Sequence, residues 1–538
     1  MRLRGDGLAV LPALAFVGLF ALLPVALLFV VALANIGGAP GLVSVLSSPL
    51  NRAAIQNSLV QGGLSAVVAV AIGYPVGLFF GRYDWPGRAA LRSFLLVPFL
   101  LPSLVVVFGI LDVFGPSGLL TSANPAFGWL GSGLPAIVAA NLVFNTPIVV
   151  LFTATGAEVA SADLEETVAV LGGSPARAYL DSWGPPTWVG AAVGGLITFL
   201  FSGLSFAPPL LLCGPRCYTI EVQVWSLYQQ LFQPNAAAVL ALVMVLLFLV
   251  PTALYLLLLG RLRALPGGRA RRIPLREGGA AGLALAALSV AVLAAEFGLL
   301  GSVLYRSLAP TTGSAVGGAW TALFSSTTTE RLGISAVGLI ENSLLFAAAA
   351  SAIAILLGVT LGYAVVRRPG RARSVGLLLF LPLLISPVLL AFSLAELWRP
   401  LFGGAPNVWL LMVVSQATLA VPFALQSLEI PLAGLSPAAR EAAESLGARP
   451  FGAFLDADLP RVRSGLASAG LFAFALGLGE FTATYFLWIP RFTTLPVALV
   501  LLSQDRLVAA ENAAVALLLL LSLAVFAALQ FGGRRVEL

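Results

Sequence analysis

Apolar stretches long enough to cross a lipid bilayer recur along the whole chain, and they constrain its fold more than any motif. About 20 apolar residues in a helix cross about 30 Å of hydrocarbon, and in lipid every backbone polar group must find its partner inside the protein. Blocks of that length lie at 8–34, 55–81, 91–113, 133–155, 187–213, 236–260, 280–308, 338–366, 375–402, 405–428, 464–489 and 510–531. With a mean hydropathy of +1.00 and only 10% charged residues over 538 positions, the expected fold class is an all-α polytopic membrane protein of about 12 transmembrane helices. Arg2 and Arg4 precede the first block and Ala32-Leu33-Ala34 closes it, the outline of a signal peptide. Its apolar run exceeds the 7–15 residues of such a peptide, so a retained anchor is expected.

The chain has no histidine and no lysine, so all 29 basic residues are arginine. A Walker A loop requires its lysine, so ATP is not bound by such a motif here. Histidine metal sites, histidine-based triads and histidine proton relays are excluded as well. With a cytoplasmic N-terminus and about twelve crossings, most arginines fall on the inner side: Arg82, Arg88 and Arg92, the group from Arg261 to Arg276, the group from Arg367 to Arg373, and Arg534 and Arg535 at the end. That distribution supports the helix count and predicts that both termini are cytoplasmic. The net charge of +6 is therefore a topology signal with lipid head groups as its contacts, and no nucleic-acid partner is expected.

The chain is written twice. Asn57-Ser58-Leu59 and Asn342-Ser343-Leu344 open the second and eighth blocks, 285 residues apart, and from Pro147 and Pro422 onward the offset is 275. Two tandem six-helix units follow, 1–260 and 280–538, joined by an arginine-rich linker at 261–279 and related by an axis along the membrane normal. The clearest repeat is polar: ETVAVLGGSPARAYLDSWGP at 166–185 and EAAESLGARPFGAFLDADLP at 441–460 share eight of twenty positions. Each reads as helix, break, helix on the inner face. In the second copy Ser436 is placed as N-cap, Pro437 at the first helical position and Gly447 at the left-handed end. In the first copy Asp163 and Glu166 have capping-box spacing, and Gly172 and Gly173 stop the helix. Interfacial helices usually present basic faces, whereas Glu158, Asp163, Glu165 and Glu166 are acidic, so two docking points for a two-fold protein partner are the stronger reading.

These passages resemble the signature of the membrane-spanning subunits of ABC importers: EAA, three residues, glycine, then a hydrophobic residue and LP. Glu441, Ala442, Ala443, Gly447, Leu459 and Pro460 match it, while the first copy keeps Glu166, Gly172 and Pro185 but has Thr167 and Val168 in place of the alanines and Gly184 before the proline; Pro175 and Pro450 are shared by both copies. The resemblance implies that the loops 158–186 and 436–463 carry coupling helices that seat on a separate ATPase, present in two copies. It also implies an extracytoplasmic solute-binding protein, a cell-membrane location, no enzymatic chemistry in this chain, and ATP and magnesium held only by the partner. The fused double form resembles the branch serving thiamine, ferric iron and phosphonates. Leu101-Pro102-Ser103-Leu104 and Val143-Phe144-Asn145-Thr146-Pro147 look most like its thiamine members, so thiamine or a related compound is the expected solute.

Acids inside membrane segments are costly and default to functional candidates. Asp112, Glu296, Glu396 and Glu480 qualify, with Trp398, Trp409, Tyr485 and Trp488 as aromatic faces for a cation. The competing readings are that the tryptophans form an interfacial belt and that Glu480 caps a helix break. Cys213 and Cys217, the only cysteines, either close a disulfide in an oxidising compartment or remain two small unpaired residues. An ion-coupled secondary carrier is the alternative from another class; it leaves the two polar passages unexplained.

Overall fold

The computed structural model describes residues 11–35, 37, 41–95, 97–264, 272–309, 317–367, 386–398, 407–435 and 437–534, and these are almost wholly helical. In chain order the first helices are α1 (Leu11–Ala34), α2 (Pro49–Arg82), α3 (Ser103–Phe114), α4 (Gly133–Glu158), α5 (Ala162–Val170), α6 (Gly184–Gly203), α7 (Ala207–Leu212), α8 (Ile220–Trp225) and α9 (Pro234–Ala264). There follow α10 (Gly279–Leu308), α11 (Ala336–Arg367), α12 (Pro387–Trp398), α13 (Val408–Ala433), α14 (Pro437–Ser445), α15 (Leu459–Gly479), α16 (Thr482–Leu487), α17 (Leu495–Gln504) and α18 (Val508–Arg534). Among the described residues, 11 helices are long and apolar enough to span a membrane.

The third expected span, 91–113, is not one helix. It breaks at Leu101-Pro102 and resumes as α3 at Ser103, because Pro98 and Pro102 each lack the N–H that a continuous helix needs; by length and composition the candidate span here is Ser103–Ala123. Of the ninth, 375–402, only α12 falls within the described residues, and 265–271 of the linker lie outside them.

Packing divides the chain differently from its repeat. One compact unit is Asn35–Ala309, and the other combines Met1–Ala34 with Pro310–Leu538. The first helix of each sequence half therefore belongs to the unit built by the other half. In the 35–309 unit α10 packs on α3 and α2, with Leu299 filling the space that a side chain at Gly109 would need. In the other, α1 lies against α12, where Trp398 donates its indole N–H to the Leu19 carbonyl at 3.1 Å and its ring lies tilted against that of Phe20.

Each unit is centred on three helices that approach through small residues. Lipid tails are as apolar as leucine, so helices associate in a membrane by close packing rather than by escape from water. Gly73, Gly77 and Gly81 lie one turn apart on α2, where an added Cβ would come within 2.8, 2.5 and 2.5 Å of Val149, Thr153 and Ala157 of α4. In the second unit Gly358 and Gly362 of α11 stand at the same repeat positions and face Ala424 and Leu432 of α13.

The duplicated Asn-Ser pair has one structural task in both units. Asn57 donates to the carbonyls of Arg216 and Tyr218, and the Ser58 hydroxyl accepts from the N–H of Ile220 at 3.0 Å, the first residue of α8. Asn342 donates to the Thr493 carbonyl, and Ser343 accepts from the N–H of Leu495 at 2.8 Å, the first residue of α17. A buried helix start would otherwise leave its N–H groups without partners.

Candidate functional site

The two polar passages fold alike. In the first, α5 ends at a left-handed Gly172 (φ 75°), where Gly172 N–H donates to the Ala169 carbonyl and Gly173 N–H to the Val168 carbonyl. In the second, α14 ends at Gly447 (φ 89°), with Gly447 N–H donating to Glu444 and Ala448 N–H to Ala443. Both are Schellman closures, which satisfy the orphan carbonyls of a helix end and need a residue without a Cβ at the left-handed position. A short helix then leads into a π turn, Tyr179–Trp183 in one copy and Phe454–Asp458 in the other, and on into α6 or α15. The start of α5 differs from expectation: Ser161, not Asp163, is the N-cap, accepting from the N–H of Leu164. Ser161 is the residue that leaves the helical conformation (ψ 121°), whereas Asp163 already lies inside the first turn. Ser436 and the side chains of Pro175, Pro437 and Pro450 lie outside the described residues.

At the breaks, leucine faces solvent: Leu171 is 80% exposed and Leu446 90%. Glu166 and Glu441 are exposed beside them, as is Ala442. Exposed large apolar groups thus stand beside carboxylates at equivalent repeat positions in the two passages.

What holds each passage is different. In the first, Glu165 receives a two-pronged ion pair from Arg82 at the end of α2, at 2.8 and 2.7 Å, and the same guanidinium lies 4.5 Å from the centre of the Trp183 ring. Two turns earlier on α2, the Tyr74 hydroxyl meets Tyr179 at 2.5 Å and Thr187 at 3.0 Å. Glu158 at the end of α4 gathers Arg88, Arg92 and Arg272, the last beside a two-residue parallel bridge between β1 (Tyr83–Asp84) and β2 (Ile273–Pro274). In the second, Arg440 stands where the repeat places Glu165, and Asp458 where it places Trp183. These two pair directly, at 3.3 Å, with Asp458 buried.

Of the other sequence candidates, Asp112, Glu296 and the two cysteines belong to the 35–309 unit, and Glu396, Trp398, Trp409, Glu480, Tyr485 and Trp488 to the other. Asp112 lies 4.0 Å from Arg306, which also donates to the Asp112 carbonyl. Glu296 is buried in α10. Glu396 is exposed on α12, and Trp409 is partly exposed. Glu480 sits in the break between α15 and α16, where its carboxylate accepts from the N–H groups of Ala483 and Thr484 and from the Thr484 hydroxyl at 2.7, 2.9 and 2.6 Å. It thus caps α16, which is the expected alternative to a path role, and Gln416 donates to Thr484 alongside it. Tyr485 stacks on Phe481, and Trp488 donates to the Thr493 hydroxyl. Cys213 and Cys217 are bonded to each other across Gly214-Pro215-Arg216. The residues that sequence reasoning did not single out are Tyr74, Tyr179, Arg440 and Asp458, and Arg82 was singled out only for topology; the change of sign between Glu165 and Arg440 was the visible clue to Arg440 and Asp458.

A family model for the binding-protein-dependent transport system inner membrane component matches residues 73–264. The thiamine transport system permease protein ThiP of Brucella abortus is 27% identical over 453 residues, 82% of this chain and 80% of that protein. The molybdenum transport system permease protein ModB of Mycobacterium tuberculosis is 27% identical over 208 residues, 38% of this chain and 79% of that protein. ThiP of Salmonella typhimurium is 31% identical over 196 residues, 35% of this chain and 36% of that protein.

Proposed function

Because the chain belongs to the inner membrane components of binding-protein-dependent transport, as a fused two-half ABC importer permease, we propose that it gives alternating access to thiamine or a related solute. An extracytoplasmic binding protein delivers the solute at one face. Two copies of a separate ATPase dock at the other, and ATP and magnesium belong to those subunits. The observation that carries this reading is the pair of matching breaks, each closed by the same two backbone bonds and each offering an exposed leucine and glutamate. Two equivalent surfaces on one chain suit a two-fold motor. Residues Glu166, Gly172, Pro175, Pro185, Glu441, Ala442, Ala443, Gly447, Pro450 and Pro460 form these surfaces, and the termini lie on the same, cytoplasmic, side.

The choice of thiamine rests on extent. The match to the Brucella ThiP covers 82% of the chain, whereas the match to ModB covers 38%. Molybdate is the second reading, supported by that match, and ferric iron or a phosphonate follows from the fused architecture. Asp112, Glu396, Glu480, Trp398 and Tyr485 remain the candidate path residues. The test is ATP hydrolysis by the reconstituted complex with its binding protein. Stimulation by thiamine and none by molybdate or ferric iron is expected; the reverse replaces the solute and keeps the permease. Uptake driven by an ion gradient with no ATPase present would overturn the permease reading in favour of a secondary carrier.

A further inference from the structure

We propose that Arg82 is the positioning residue that makes α5 and the inner end of α2 move as one body, so that the first half passes the motor's stroke sideways into a second membrane helix. This rests on the docking role proposed above. The Arg82 side chain is 5% exposed and that of Glu165 17%, so the pair is largely removed from water, where a two-pronged charge-assisted contact has both strength and fixed geometry. The cation also covers Trp183 in the π turn. Arg82 therefore grips the passage on both sides of its glycine break, at Glu165 before it and at Trp183 after it. Tyr74 adds a second tie from the same helix, to Tyr179 in the π turn and to Thr187 at the start of α6.

An arginine at the inner end of a spanning helix has an ordinary explanation as a topology determinant. That explanation predicts an exposed guanidinium near head groups, not a buried one bonded at both prongs to a helix 83 residues away. The second half carries different residues at the positions that make this grip. At the repeat positions of Tyr74, Tyr179 and Thr187 stand Val359, Phe454 and Val462, none with a hydroxyl, and at that of Glu165 stands Arg440. There the ion pair closes within the passage, between Arg440 and Asp458.

Two measurements test the proposal on the full chain. Hydrogen exchange reads the tie directly, whatever the solute: in Arg82→Gln the amides of 164–171 exchange at least about tenfold faster than in the parent, while those of 441–448 are unchanged. Unaltered exchange at 164–171 overturns the proposal. In the reconstituted complex, Arg82→Gln lowers solute moved per ATP hydrolysed at least about fivefold with hydrolysis itself retained, and the exchanged pair Arg82→Glu with Glu165→Arg recovers part of it. Transport and hydrolysis falling in equal proportion means a structural role only and overturns the relay. If the parent complex shows no ATP-driven uptake, the docking function fails, and the exchange result still decides the tie.

Discussion

The two helix-break-helix passages close with the same backbone bonds but are moored differently. The first is tied to a neighbouring membrane helix through Arg82 and Tyr74, the second to its own continuation through Arg440 and Asp458. A repeat can thus conserve the part that must fit an external partner while leaving the anchoring to diverge. The same holds where α8 and α17 begin. There Asn-Ser pairs make equivalent bonds in both units, yet the turn before α8 is closed by the Cys213–Cys217 disulfide and the turn before α17 by a Trp488–Thr493 hydrogen bond.

The largest effect is expected at the shared element. Gly447→Pro removes the N–H that bonds Glu444 and forces φ from 89° to about −65°, a local cost of about 3 kcal/mol or more. Coupled uptake should fall at least about tenfold with membrane insertion intact, and Gly172→Pro should match it if the two surfaces are equivalent. A normal rate in either variant would end the equivalence. Next comes Asp458→Ala, which strips a largely buried partner from Arg440. With Arg440 itself 23% exposed, the unfolding free energy of the second unit should drop by about 2–3 kcal/mol; a change within error would mean that the second mooring is not electrostatic. Smaller again is the double change Cys213→Ser with Cys217→Ser, expected to cost about 2 kcal/mol because it opens a short loop. Reducing agent should lower the thermal midpoint of the parent and leave that of the variant unchanged. The smallest effect is Trp488→Phe, about 1 kcal/mol for one hydrogen bond, and it should be insensitive to reducing agent.

The breaks were legible because polarity stands out in an apolar chain and because glycine, proline and cap chemistry act locally. The span at 91–113 was misread since apolarity alone does not register two prolines at one helix start. Arg82 was read only as a topology arginine, because nothing local in the sequence points across 83 residues to Glu165. Glu480 could be seen as a cap or as a path residue, and its bonds to Ala483 and Thr484 fill the capping role. The exchange of first helices between units was invisible for a physical reason. Lipid-facing helices share one composition, so which neighbour each one meets is decided by fits such as Leu299 against Gly109, which carry no periodic signature.

That exchange sets an order on the making of the protein. Leu11–Ala34, made about 300 residues ahead of its mates, packs against elements that begin at Ala336. At about 5–20 residues per second, it stays in the bilayer without its mates for on the order of tens of seconds. Its mean hydropathy of 2.9 is above that of the other ten spans, as befits a helix that must be stable alone in lipid until its partners arrive. Cutting the gene at the linker would give two fragments that each carry the other's first helix, so neither can complete its unit unless both are made together.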